Sequence, residues 1–224
     1  TSLLIYCGIW GMAGSFISLL LSRFMAKMTM GMKPLDQNDA EYGWVVQRVY
    51  QYAKVAGIST MPEVCVYNSA EVNAFATGPT KNRSLVAVST GLIQAMSREE
   101  VEGVIAHEVA HIENGDMVTM TLIQGVVNAF ALFLPKIISM ALSNNKDKRG
   151  WMDFMIQQAL YMFFSFLGMF VISAFSRWRE FRADAGGARL AGRNKMIGAL
   201  EKLQSNYNRV DNGNTSLATM KIAG

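Results

Sequence analysis

Two histidines and a glutamate fall within five consecutive residues of this chain, His107-Glu108-Val109-Ala110-His111. Positions i and i+4 of a helix share one face, so both imidazoles can bind a single metal ion there. Glu108 follows the first histidine at the edge of that face, where it can act as a general base toward water. The sequence contains only 2 histidines. The pattern therefore predicts a zinc site that activates water for hydrolysis, rather than two histidines buried in an apolar core.

The stretch 97–116 carries the local signals of a helix with defined ends. Ser97, followed three residues later by Glu100, matches a capping box, which favours the start of a helix. Asn114-Gly115 is a favourable stop because glycine tolerates the left-handed conformation that often ends a helix. The residues between these signals are mostly good helix formers. We therefore expect one helix to carry both candidate ligands and the candidate base.

A carboxylate is needed to complete this metal site. A catalytic zinc ion usually takes three protein ligands and keeps one position open, and the chain has no third histidine. Glu180 and Asp184 stand four residues apart on a probable helix within 176–190, so they face the same way. Glu180 can bind the ion, while Asp184 can hydrogen-bond the other ring nitrogen of a ligand histidine and orient it.

Other acidic residues compete with Glu180 for the role of third ligand. Glu113 and Asp116 follow the second histidine closely, although a residue so near His111 reaches the same ion only with steric difficulty. The acidic residues after 176 also have a simpler interpretation, in which Arg177 and neighbouring basic residues pair with them along an interfacial helix. The sequence alone leaves these alternatives open.

The composition favours a membrane protein. Hydrophobic residues make up 51% of the chain and charged residues 17%, an apolar content that is high for a soluble protein. The net charge of +4 is modest and scattered, so we expect no nucleic-acid partner. Cys7 and Cys65 give no disulfide framework, which favours a reducing compartment.

Three apolar stretches match the roughly 20 residues that a membrane-spanning helix needs. Arg23, Lys27 and Lys33 follow the first stretch, and the positive-inside rule places them on the cytoplasmic side. Pro135-Lys136 interrupts the second stretch, which we expect to be weakest there. The second and third stretches form a hairpin, so the chain returns to the side of the metal helix. The predicted organisation comprises transmembrane helices at 1–22, 117–142 and 154–176, a connector at 143–153, and two parts of one hydrophilic domain at 23–116 and 177–224.

The hydrophilic part before the metal helix contains helix and strand patterns. Apolar residues recur at helical spacing over 37–56, with Asn38 or Asp39 near the start of this predicted helix. Short β-type runs follow at 63–67 and 85–89. We therefore expect one helix and two strands ahead of the metal site.

The segment between the two predicted strands, residues 71–79, is a loop or a third short strand that ends at Gly78-Pro79. If this strand forms the edge of a sheet beside the metal, its unpaired backbone groups can bind an extended peptide by strand addition. A substrate bound in this way would be read mainly through its backbone, so we expect loose side-chain selectivity.

Several motifs together resemble the HtpX family of integral membrane zinc metallopeptidases. They comprise H-E-V-A-H with E-N-G-D-M after it, E-F-R-A-D further on, V-N-A-F-A-T-G-P at 72–79, S-L-V-A-V-S-T-G-L at 84–92 and M-V-T-M-T-L-I-Q-G-V-V-N at 117–128. The match covers nearly the whole chain. The resemblance implies an α+β, mainly helical fold, in which a zincin-like domain of gluzincin type with a small edge-exposed β-sheet is combined with transmembrane helices.

The resemblance also implies roles for individual residues. One zinc ion, Zn²⁺, is bound by two histidines and a glutamate, a second glutamate acts as general base, and an aspartate orients a ligand. A further segment forms the edge of the substrate cleft. In this sequence the implied zinc ligands are His107, His111 and Glu180, the implied base is Glu108, and the implied orienting residue is Asp184. The implied substrate edge consists of Asn73, Ala74, Phe75, Ala76 and Thr77.

As a biological setting, the resemblance implies a multi-pass protein of the bacterial inner membrane, with its active site facing the cytoplasm. Its expected partners are the lipid bilayer and polypeptide substrates, especially misfolded or damaged membrane proteins, in a stress response. Family members usually have one more span before the first stretch and a later segment with a His-Pro motif. We therefore expect this chain to be truncated at both ends.

Two alternative functions are also compatible with the sequence. A prenyl-protein endopeptidase has the same metal motif in a membrane enzyme, although its family has more spans and V-N-A-F-A-T-G-P favours HtpX. A zinc-bearing membrane adaptor without catalysis is the other alternative. Glu108 argues against the adaptor, because a structural metal site has no need of a general base.

Overall fold

Helices dominate the chain in the computed structural model, which describes residues 2–142 and 150–206. Most of the predicted connector at 143–153 lies outside these residues. The elements in chain order are α1 (Ser2–Met30), β1 (Lys33–Pro34), α2 (Gly43–Val55), β2 (Glu63–Tyr67), β3 (Ala74–Thr77), a 3-10 turn (Lys81–Arg83), β4 (Leu85–Ser89), α3 (Thr90–Ala95), α4 (Arg98–Asn114), α5 (Asp116–Leu142), α6 (Trp151–Ala191) and α7 (193–206).

The described residues divide into two compact units. The apolar unit holds the chain up to Ser22 together with Asp116–Glu180, and the second unit holds Arg23–Gly115 together with the chain from Phe181. The two hydrophilic parts of the sequence, which the apolar hairpin separates, thus pack into one unit. The predicted fold class, mainly helical with a small sheet and three apolar helices, is confirmed.

Three helices, α1, α5 and α6, are long and apolar enough to cross a membrane, and each contains one of the predicted apolar stretches. Their large apolar side chains point outward, as Leu20, Phe130 and Phe170 do with more than half of their surface exposed. Pro135 does not end α5, which continues through it to residue 142. The ammonium group of Lys136 lies 4.9 Å from the centre of the Tyr6 ring, a cation–π contact that helps this charge stay among apolar helices.

The second unit contains a four-stranded mixed sheet in the order β1-β2-β4-β3. β2 and β4 run parallel in the centre, and β3 pairs antiparallel with β4, with Ala74 opposite Val88. All five residues of β4 are buried, as expected for a strand that is covered on both faces. The predicted strands at 63–67 and 85–89 are confirmed, and the third one lies at the edge of the sheet.

α2 starts later than predicted. The sequence predicts a helix over 37–56 that begins near Asn38 or Asp39, but the observed helix begins at Gly43. The carboxylate of Asp39 accepts hydrogen bonds from the backbone N–H groups of the two residues before Gly43, at 2.9 and 2.7 Å. Such a local side-chain bond offers the backbone an alternative to the helix, so the predicted start is wrong.

A buried charged cluster joins three helices of the second unit. Glu102 on α4 is only 3% exposed, and it pairs with Arg48 of α2 at 2.7 Å and with Lys195 of α7. Burial, followed by the negative charge of Glu102, raises the pKa of the neighbouring Tyr52 to about 12. Both charges that Glu102 needs come from distant parts of the sequence, so the cluster holds α4 between α2 and α7.

A second ion-pair group lies where α1 enters the second unit. Glu63 accepts hydrogen bonds from Lys27, at 2.6 Å, and from Arg23. Burial acts to raise the pKa of Glu63, but the hydrogen bonds and charges of Lys27 and Arg23 outweigh it and hold this pKa below its ordinary value. The basic residues that follow the first apolar stretch therefore also anchor strand β2.

Candidate active site

α4 carries the two histidines and Glu108, as predicted. Ser97 caps its N-terminus through a complete capping box with Glu100, and Gly115 ends it in the left-handed conformation at φ 71°. A residue with a side chain is strained in this conformation, so glycine suits the position. The helix is thus fixed at both ends by residues that its own local sequence supplies.

The two imidazoles face each other across one turn of α4. The Nε2 atoms of His107 and His111 are 3.0 Å apart, and the two rings meet edge to face at 4.6 Å between centroids. Zinc–nitrogen distances of about 2.0–2.1 Å place two nitrogens of one tetrahedral site roughly 3.4 Å apart. Both side chains are half-buried. The pair therefore has the spacing and the orientation needed to bind one ion.

Asp184 lies behind the ring of His107. Its Oδ1 atom is 2.9 Å from Nδ1 of His107, and both atoms are buried. This separation lies within the range of hydrogen-bond distances. A carboxylate at this position favours the tautomer with the proton on Nδ1, which leaves the Nε2 lone pair directed toward the other histidine.

Glu180 precedes Asp184 by one turn on the same unbroken helix, α6. It is the last residue of the apolar unit, directly before Phe181. A carboxylate oxygen of Glu180 and one nitrogen from each histidine all lie within 4.8 Å of one another. Arg179 donates a hydrogen bond to Oε1 of Glu180 at 2.6 Å. Two imidazoles and one carboxylate form a donor set that zinc commonly takes, so these residues fit the ion.

The competing acidic residues are placed elsewhere. Among the residues that the structure describes, the group with metal-ligand spacing is His107, His111 and Glu180, without Glu113 or Asp116. The carboxylate of Glu113 pairs with Arg189, and its backbone carbonyl accepts a hydrogen bond from Lys81. Asp116 is 3% exposed and begins α5. The structure thus brings Glu180, and neither competitor, to the two histidines.

Glu108 is largely buried in the second unit, with 9% of its surface exposed. The buried Tyr67 at the end of β2 lies close enough to sense its charge. Burial first, and then the negative charges of Glu71 and Glu108, raise the pKa of Tyr67 against hydrogen bonds that lower it. The Tyr67 ring also lies 6.0 Å from the ring of Phe75 on β3. The candidate base therefore lies among the helix α4, the end of β2 and the edge strand.

The predicted substrate edge, residues 73–77, lies next to the metal helix. Ala74–Thr77 form β3, whose residues are half-buried and which runs beside α4. Asn73 is fixed to the sheet at both backbone groups, because its N–H donates to Oγ of Ser89 at 3.2 Å and its carbonyl accepts from the Ser89 N–H at 3.0 Å. The edge strand thus has a defined position beside the candidate base.

Two glycines that the sequence interpretation passed over allow α6 to approach α4. A Cβ atom on Gly186 would lie 2.7 Å from Cβ of Ala110, and one on Gly187 would lie 3.1 Å from the backbone nitrogen of His107. The contact at 186 is shorter than Cβ atoms normally make, and the one at 187 is tight, so glycine suits both positions. Adjacent glycines inside a helical pattern were the available signal, since glycine there is unfavourable unless the packing needs it.

A Gly186→Ala variant is expected to be less stable, although alanine is the better helix former. The added methyl group overlaps Ala110, and overpacking of this kind costs about 1–3 kcal/mol. Gly198→Ala on α7 is the matched control, because a Cβ atom there meets only Cγ of Glu100 at 3.7 Å. Thermal unfolding of the purified protein in detergent should show a lower midpoint for Gly186→Ala and an unchanged or higher one for Gly198→Ala. A rise for both would show that α4 and α6 are not closely packed.

Comparison with known proteins identifies the protein family. The sequence profile of Peptidase family M48 matches residues 39–219, so the chain belongs to this family of metallopeptidases. The HtpX proteases within it are the relatives that it resembles. The chain is 51% identical over 229 residues to the Protease HtpX homolog of Bacillus licheniformis. This alignment covers 100% of this chain and 77% of that protein. It is 50% identical to Protease HtpX of Pasteurella multocida, over 91% of this chain and 72% of that protein.

A solved structure shares the fold. The crystal structure of S. mikatae Ste24p superposes with a TM-score of 0.65 at 20% sequence identity, covering 90% of this chain and 49% of that one. At this identity the likeness concerns the fold alone. The predicted family, the predicted fold class and the prediction of a metalloprotease are confirmed by these comparisons.

Proposed function

We propose that this chain is a zinc endopeptidase that cleaves misfolded or damaged membrane proteins at the cytoplasmic face of a bacterial inner membrane. The observation that supports it most strongly is the convergence of the ligand atoms of His107, His111 and Glu180 within 4.8 Å of one another. Glu108 stands next to them on α4, and an edge strand runs beside that helix. The family to which the chain belongs makes the reaction peptide hydrolysis.

In this proposal His107, His111 and Glu180 hold the zinc ion. The chemistry that zinc supplies in such a site is polarisation of the scissile carbonyl and a lowered pKa for water. The carboxylate of Glu108 takes a proton from the attacking water, whose oxygen forms the new bond to the carbonyl carbon. Glu108 then delivers that proton to the departing amine nitrogen as the C–N bond breaks. Its low exposure keeps bulk water from competing for the proton.

Substrate binding is assigned to the backbone of residues 73–77. β3 pairs with β4 along one side and lies at the edge of the sheet, so an extended peptide can add to its other side. Backbone pairing holds the scissile bond in place whatever side chains the substrate carries. This mode suits an enzyme that removes many different damaged proteins, because unfolded segments share their backbone and little else.

The proposed membrane topology follows from the apolar helices and from connectivity. α1, α5 and α6 have the length and composition of spanning helices. Two crossings by α5 and α6 return the chain to one side, which agrees with the packing of Arg23–Gly115 and the chain from Phe181 in one unit. Arg23, Lys27 and Lys33 favour the cytoplasm for that side.

Metal removal tests the reaction class. The purified protein is incubated with an unfolded soluble polypeptide before and after treatment with a zinc chelator, and then after zinc is added back. We expect cleavage to stop on chelation and to return with about one zinc ion per chain. Cleavage that persists after zinc has been removed, or a metal-loaded protein that cuts no polypeptide, would contradict the proposed function.

Asp184→Asn is expected to weaken zinc binding by about 10–100-fold, the usual cost of losing a carboxylate that orients a ligand histidine. The amide has nearly the same shape but no charge to hold the proton on Nδ1 of His107. Glu201→Gln, an exposed carboxylate on α7, is the matched control and should bind zinc normally. Competition with a zinc-sensitive dye measures the affinity without reference to activity. Equal affinities for the two variants would remove Asp184 from the site.

A further inference from the structure

A groove that is partly lined by polar side chains lies in the apolar unit. It has a volume of about 640 Å³ and is lined by residues of α1, α5 and α6, within the usual range of roughly 300–1,000 Å³ for ligand sites. On α1 its lining runs from Trp10 to Ser22, a length of about 18 Å at 1.5 Å per residue. That is more than half of the roughly 30 Å hydrocarbon thickness of a bilayer.

The lining combines apolar side chains with several polar ones and carries no charged residue. Ser18 and Ser22 on α1 face Thr121, Gln124 and Asn128 on α5. The residues on the opposite side of α5, such as Leu122 and Val126, are apolar and exposed. Polar residues at membrane depth are costly, and they mark functional sites more often than not.

These polar side chains do not hold the helices together. Gln124 donates to Asn128 on its own helix at 3.0 Å, and Thr121 donates to the carbonyl of Met117 on the same helix at 2.9 Å. Ser22 likewise bonds to the carbonyl of Leu19 at 2.8 Å. Each of these three hydrogen bonds therefore lies within a single helix.

Close packing of α1 against α5 rests on small residues instead. A Cβ atom on Gly11 would lie 2.4 Å from the backbone nitrogen of Ala129, and one on Gly125 would lie 3.0 Å from Cγ of Met12. Small residues allow this approach without any polar contact. The amides of Gln124 and Asn128 are thus left with hydrogen-bonding capacity that the packing does not use, since each carries two donors and an acceptor oxygen.

We propose that this groove binds a stretch of a substrate's transmembrane segment whose helix has opened, and that it does so through the backbone of that stretch. The inference rests on the proposed function. An opened helix in lipid exposes backbone N–H and C=O groups, which are strongly unfavourable there if they stay unpaired. The neutral amides and hydroxyls of the groove match those neutral groups. An anionic lipid headgroup would require basic residues, and the lining holds none.

A Gln124→Met, Asn128→Leu double variant tests the groove with nearly unchanged side-chain volume. The full protein in proteoliposomes is given two substrates, a membrane protein with a destabilised transmembrane helix and a soluble unfolded polypeptide. We expect cleavage of the membrane substrate to fall by about tenfold, and cleavage of the soluble one to stay the same. Leu122→Met with Val126→Leu, on the opposite side of α5, is the matched control and should cut both normally. An equal change for both substrates, or none for either, overturns the proposal.

Photocrosslinking identifies the occupant. A photoreactive amino acid replaces Ser18 in the groove, or Leu122 outside it, in a Glu108→Gln background that retains uncut substrate. We expect an adduct between position 18 and the transmembrane segment of the membrane substrate, and none from position 122. Adducts only with lipid, or with a second copy of the chain, would refute the proposed occupant. If the wild-type protein cuts neither substrate, the proposed function is wrong. The crosslinking result still shows whether the groove binds a transmembrane segment.

Discussion

A Glu108→Gln variant is expected to cleave an unfolded polypeptide with kcat/KM lowered by roughly 10²–10⁴-fold, the usual contribution of a general base. The amide cannot accept the proton of the attacking water, yet it has nearly the same volume as the carboxyl group. Glu108 is not a metal ligand in this proposal, so zinc content should stay at the wild-type level. Peptide cleavage and zinc content are measured on the same preparation.

The matched control is Glu99→Gln, an exposed glutamate in the first turn of the same helix α4. It should keep both activity and zinc, which separates the loss of a base from the loss of any negative charge on α4. Full activity in Glu108→Gln would reject Glu108 as the base. It would also revive the alternative in which the site binds zinc for structural reasons only. Loss of zinc along with activity would instead assign Glu108 a role in holding the metal.

The metal helix was predictable because its signals are local. Ser97 and Glu100 cap one end, Gly115 ends the other, and the i, i+4 spacing of the histidines follows from helix geometry alone. The two central strands were predictable for a similar reason, since runs of β-branched and apolar residues between turn signals favour buried strands. Sequence patterns succeed where neighbours along the chain determine the structure.

Features that depend on distant partners were not predictable. The charges that satisfy Glu102 come from Arg48 and Lys195, and no spacing rule connects these three positions. The need for Gly186 and Gly187 appears only when α6 packs on α4. The late start of α2 has a local cause. An aspartate near a helix start can cap the helix or stabilise a turn before it, and the sequence pattern did not distinguish the two. The roles of the individual site residues and the crossing of the membrane stay predictions.

The third apolar stretch and the acidic residues of the candidate site lie on one continuous helix. α6 runs without a break from Trp151 to Ala191, so the apolar stretch at 154–176 and the acidic residues Glu180 and Asp184 belong to the same helix. The sequence predicts a spanning helix at 154–176 and a probable helix within 176–190, without saying whether the two are continuous.

A Glu180→Ala variant is expected to lose zinc, with an affinity lowered by more than about 100-fold, because even residues that only orient a ligand contribute 10–100-fold. Two histidines on one helix leave the ion without the third protein ligand that catalytic zinc sites use. Activity should fall in parallel and should return only partly at high zinc concentration. Metal analysis after gel filtration, followed by zinc titration, measures the loss.

Glu113→Ala is the informative comparison, because this glutamate also follows the histidines closely and competes for the role of ligand by sequence alone. In the structure its carboxylate pairs with Arg189, so its removal should weaken the end of α4 but leave zinc bound. Zinc retained in Glu180→Ala and lost in Glu113→Ala would reverse the assignment and place the ligand on α4. We expect the opposite result, loss of zinc in Glu180→Ala and retained zinc in Glu113→Ala, because Glu180 on α6 lies near the two histidines.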